Sequence, residues 1–144
     1  MKVFTGTKIG RVFFIRIDEG DDVAECVDTF IRENKVVNAI VSSAIGTLSN
    51  AVIHYITTTD YPSSNNFTRL KDHPMELSSI DGLIVDGVAH LHTVISEGDR
   101  VMSGHLEPGC RSLYLFEMAV LEVEGLENLT RKPNQHGKRQ LEYK

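Results

Sequence analysis

Three of the chain's six histidines lie in one stretch, Ala89 to Glu107: His90, His92 and His105. Neutral imidazole is the commonest protein ligand of zinc-like ions. Three imidazoles plus an oxygen donor such as Glu107 would hold a divalent metal, with water or substrate in any open position. Such an ion can polarise a carbonyl or lower the pKa of a bound water, or it can simply hold structure. A lone histidine on a strand is more often just hydrogen-bonded, so the metal reading depends on bringing all three together.

The hairpin that would do so is legible. Side chains alternate along a strand, so His90 and His92 share a face. Gly98-Asp99 suits a two-residue type II′ turn with glycine first. Glu97 then pairs with Arg100, Ser96 with Val101, Val94 with Ser103, and His92 with His105. One step further, His90 would face Glu107. Directly opposed residues have Cβ atoms about 4.5–5.5 Å apart. A slip of one residue would turn His105 away, and Pro108-Gly109 threatens the pairing of Glu107. His54 reads as a mid-strand packing residue, His73 as a loop residue before Pro74, and His136 as a solvated residue of the tail.

The surrounding elements predict an α+β domain, mainly antiparallel sheet with one principal amphipathic helix. The helix covers Asp21 to Asn34, where Val23, Cys26, Val27, Phe30 and Ile31 form an apolar stripe. Asp22 and Glu25 fit a capping box, and Asn34 suits the stop. Val12 to Ile17 reads as a strand. Val36 to Leu48 reads as a strand buried on both faces, turning at Ser49-Asn50 into a partner over Ala51 to Thr59. Tyr61 to Asn66 is a loop by composition. Met75 to Ile80 and Leu83 to Val85 are strand pieces around Asp81-Gly82, and Asp86-Gly87 is a strong hairpin signal. Val88 to Ser96 enters the histidine hairpin. Ser112 to Val123 is a long apolar strand containing Glu117, either a carboxylate orienting a ligand histidine or a group at a subunit boundary. From Leu126 onward the chain is basic, and Leu129 to Arg131 could pair with Arg139 to Tyr143 as an edge ribbon.

The totals narrow the function classes. At 144 residues the chain suits a single domain, residues 1–144, with a proper core. The net charge of −5 disfavours polyanion binding, so DNA is a possible partner that the charge does not support. Cys26 and Cys110 form no paired motif, and the expectation is two buried thiols. The first ten residues lack a signal-peptide pattern and no apolar run has the length of a bilayer span, so a soluble cytoplasmic protein is expected. Neither a phosphate-binding glycine loop nor strand–helix alternation is present, which argues against nucleotide folds.

With these residues assembled, the chain resembles the plants-and-prokaryotes conserved (PPC) domain family along nearly its whole length. The resemblance is carried by Phe14 to Asp22, by Ser43-Ala44-Ile45-Gly46-Thr47-Leu48, by Met75 to Gly82, and most specifically by His90-Leu91-His92 and Gly104-His105-Leu106. It implies an α+β fold, a homotrimer, and a metal near a subunit boundary on His90, His92 and His105, with zinc the expected ion. It suggests a stand-alone regulatory or interaction module, with a metal-dependent enzyme of unknown small-molecule substrate as the alternative. In plants the domain accompanies an AT-hook; no Arg-Gly-Arg-Pro-type segment occurs here, so a DNA-binding role would rest on analogy.

Overall fold

The computed structural model describes all 144 residues. The expected α+β architecture is what forms: nine strands and one helix. In chain order these are β1 (Lys8–Arg16), α1 (Val23–Asn34), β2 (Ala39–Ile56), β3 (Asn65–Leu70), β4 (Met75–Val85), β5 (Val88–Glu97), β6 (Arg100–Leu106), β7 (Arg111–Glu124), β8 (Leu129–Pro133) and β9 (Arg139–Tyr143). The main sheet is antiparallel and runs β1-β7-β2-β4-β5-β6, with β3 paired to β2.

The hub is β2, which is one 18-residue strand. The expected turn at Ser49-Asn50 does not occur; neither residue is a glycine, and the pairing with β7 absorbs the bend as register shifts beside Leu48 and Asn50. Nor is β2 buried on both faces. Val41, Ala44, Leu48, Ala51 and Ile53 are buried while Ile40 and Ile45 are exposed, as befits a sheet covered on one side. Its first half lies between β7 and β4. Its second half pairs with β3 and also meets β6 through Ile53↔Leu106 and His54↔His105. The strands β2, β4, β5 and β6 therefore close into a ring.

Asp81-Gly82 is not a turn either, because β4 runs straight through it. A Cβ on Gly82 would lie 2.1 Å from the backbone oxygen of His90, so glycine permits the close approach of β5 at that point. Asp86-Gly87 does make the hairpin, with φ values of 53° and 73°, both in the left-handed region a type I′ turn requires. Asn65–Leu70, whose first two residues read as loop from composition, is strand β3.

The helix buries Val23, Val27 and Ile31 against the sheet in a core that includes Ile53, Ile80, Ile84, Ile95 and Phe116. Its stop lies one residue later than expected, at Lys35 in the left-handed conformation. At its start, Asp22 accepts from the amides of Ala24 and Glu25 at 3.1 and 3.3 Å, while its other oxygen accepts from Gly109 at 2.6 Å. The buried Asp22 thus fastens the helix to the segment that follows β6. Asp22→Ala removes the cap and leaves the Gly109 amide without this acceptor. An expected loss of about 2 kcal/mol follows, read by urea unfolding.

Cys110 is buried, and burial pushes its thiol up to about 11. Cys26 is only half-buried, contrary to expectation; desolvation and then the carboxylates at the helix start raise its pKa too. Neither thiol is poised as a nucleophile. The ribbon β8–β9 forms as expected, Leu129 opposite Tyr143, but as a separate two-stranded sheet and not as an edge of the main one.

Candidate metal centre

The hairpin has the register its turn predicts. Glu97 pairs with Arg100, Ser96 with Val101, Val94 with Ser103 and His92 with His105. Gly98 takes φ 56°, the left-handed value a type II′ turn needs at its first position. Pairing with β5 ends at His105. There β6 crosses to β2, and the amide of Glu107 donates to the Val52 carbonyl. Glu107 therefore does not face His90.

The crossing brings His54 into the group. His54 lies opposite His105 across β2–β6, their rings stacked with centroids 4.7 Å apart. The ring of His90 lies 5.0 Å from that of His105, and His92 lies 5.5 Å from it. The Nε2 atoms of His90 and His92 are 3.3 Å apart. All four histidines, with Asp81 and Ser79, line one cleft of about 490 Å³. The most compact set of ligand atoms belongs to His54, His105 and Glu107, within 4.8 Å of one another.

Glu107 stands behind the imidazoles. Its Oε1 is 2.6 Å from Nδ1 of His54 and 3.1 Å from Nδ1 of His105. The second contact is close enough for an ion pair but misaligned for a hydrogen bond, so the buried Nδ1 of His105 lacks a hydrogen-bond partner. A carboxylate hydrogen-bonded to the rear nitrogen of an imidazole, as Glu107 is to His54, fixes that ring and raises its basicity. Desolvation, followed for His90 by the neighbouring His105 and Arg131, lowers the pKa values of His90 and His105. Both are therefore neutral near pH 7, the form that binds a metal. Four imidazoles, one of them with an unpartnered ring nitrogen, and a carboxylate are a donor set that fits a divalent ion.

Glu117, read either as a carboxylate behind a ligand histidine or as a group at a subunit boundary, lies away from the histidines. It is exposed opposite Arg16 and Ile45, in a second cleft with Phe14. His73 contacts Glu97 at the surface, and His136 stacks on Tyr61. His54 is the residue that sequence reasoning missed. Gly104 permits the close approach of β6 to β2 there, since a Cβ would meet the His54 carbonyl oxygen at 2.5 Å.

Known proteins share this fold. A metal-containing protein from Archaeoglobus fulgidus superposes with a TM-score of 0.80 at 26% identity, covering 97% of this chain and 98% of its own. A plant- and prokaryote-conserved protein from Pyrococcus horikoshii gives 0.80 at 27% identity, covering 97% of both chains. Bifunctional protein GlmU from Synechococcus sp. (strain JA-3-3Ab) is 29% identical over 102 residues, 69% of this chain. The chain spans only 15% and 18% of the length of the two curated relatives it matches. Residues 4–124 match the Plants and Prokaryotes Conserved (PCC) domain, and the chain belongs to that family.

Proposed function

We propose that the chain is a metal-binding regulatory or interaction module. Its ion is zinc, held by His90, His92 and His105, with Glu107 behind them, hydrogen-bonded to His54. The observation that carries this reading is the convergence of the three imidazoles on one cleft at a fixed hairpin register. When bound, the ion would supply Lewis acidity. Elemental analysis of protein purified under metal-replete conditions is expected to give about one zinc per chain; protein without bound metal would end the reading. Because His54, His105 and Glu107 form the tightest group, they offer a second ligand set that shares only His105.

The module works in the cytoplasm as a homotrimer, with the metal near the subunit seam. No helix is long and apolar enough to cross a membrane. Support for assembly comes from the outer face of β1, β2 and β7, where Phe14 is 87% and Ile45 51% exposed. Large side chains left open on neighbouring strands suit a partner copy. Light scattering should report a trimer at micromolar concentration, and Phe14→Glu should reduce it to a monomer.

Direct DNA binding has little in its favour beyond the basic tail. Arg131 and Arg139 of that tail are partly engaged with backbone carbonyls, and the chain as a whole carries −5. A gel shift with AT-rich duplex at low salt should stay negative.

A further inference from the structure

Beside the histidines lies a further cleft, of about 310 Å³, between the β4–β5 strands and the ribbon. His90 and His92 form one wall, and Arg131 and Arg139 the other. Pro133 faces Arg139 and Leu141 faces Arg131 across β8–β9, so both arginines lie on one face of the ribbon as diagonal neighbours.

The two guanidinium groups are held together by backbone alone. Arg131 donates to the carbonyls of Val88 and Leu83 at 3.0 and 3.1 Å, and Arg139 donates to the Arg131 carbonyl at 2.9 Å. Neither forms an ion pair; every carboxylate in such a contact lies against another lysine, arginine or histidine. Burial and then the charge of Arg139 pull the Arg131 pKa below its usual value. In a chain with five more acidic than basic residues, two adjacent arginines without a carboxylate are an uncompensated positive site. Guanidinium forks match carboxylate and phosphate oxygens; the half-buried Arg131 fork is spent on carbonyls, while the exposed Arg139 keeps donors free for a ligand.

We propose that this cleft binds the anionic end of a small carboxylate or phosphate ligand, with Arg139 as the gripping residue and Arg131 as its fixed neighbour. The ligand's other end points along the His90–His92 wall toward the histidine cluster. Only that second placement rests on the metal reading; the anion subsite consists of arginines and stands without the ion.

The test is calorimetric titration of metal-free protein at low salt with inorganic phosphate and, separately, with succinate. Saturable binding of at least one is expected, and the stronger of the two names the oxyanion preferred. Arg139→Gln should weaken it about tenfold or more, as loss of a charge-assisted fork does. Lys138→Gln removes a charge from the same ribbon outside the cleft and should leave binding unchanged. Arg139→Lys keeps the charge and carries the same comparison if the glutamine variant melts early. The proposal is overturned if neither anion saturates the wild type, if Arg139→Gln binds as the wild type does, or if Lys138→Gln costs as much. Because the protein is metal-free, failure here leaves the zinc measurement intact, and failure of zinc to bind leaves this one intact.

Discussion

Replacing His92 by alanine is expected to strip the protein of metal. His92 sits at the last paired position of the β5–β6 hairpin, opposite His105, with its Nε2 3.3 Å from that of His90. Removing it leaves two imidazoles of the three, and loss of one of three protein ligands reduces metal affinity by several orders of magnitude. His92 is exposed, so the fold should survive, and an unchanged melting curve of the metal-free variant separates lost ligation from lost structure. Zinc content by elemental analysis should fall to background. His54→Ala, measured alongside, decides between the two ligand sets. If the ion is held by His90, His92 and His105, the His54 variant keeps its metal. If it is held by His54, His105 and Glu107, the outcome reverses and the ligand assignment is wrong.

The largest effect on stability is expected at Phe116. Its ring is fully buried at the centre of β7, beside the hub strand β2, where it pairs opposite Gly46. Phe116→Ala would cost about 3–5 kcal/mol, from lost transfer energy together with the cavity left behind. For a chain of this size that lowers Tm on the order of 10 °C. Thermal unfolding by circular dichroism measures it. A decrease of only one or two degrees would mean that the strands around Phe116 collapse into the space. The site should feel this change weakly, since the histidines lie on β2, β5 and β6 and not on β7.

The His-x-His pair and the turn were readable because both depend on local rules. Alternation puts His90 and His92 on one face, and Gly98-Asp99 fixes the count to His105. The position of Glu107 followed from extending that count two pairs past His92 and His105. What stops the pairing is a long-range event, the switch of β6 from β5 to β2, which no local pattern announces. For the same reason His54 was read as a packing residue. It belongs to the site only because β2 continues past Ser49-Asn50 to meet His105. The glycines misled in a related way. Gly82 resembles a turn residue beside Asp81, yet it serves a close strand approach that becomes visible only when His90 is placed beside it. The helix was well marked, because its apolar stripe and the Asp22 cap lie within a few turns of each other in sequence.

The closure of β2, β4, β5 and β6 bears on when the histidine site can exist during folding. The hairpins β4–β5 and β5–β6 join neighbours in sequence and can form early. The contact His54↔His105 must wait until a loop of about fifty residues has been drawn shut, and closing such a loop costs entropy before any contact rewards it. His90, His92 and His105 share a single hairpin and can meet first, whereas His54 and the final position of Glu107 come afterwards. An ion captured by the early hairpin would therefore act as a nucleus, fixing the register of β5 on β6 before β2 arrives to seal the ring.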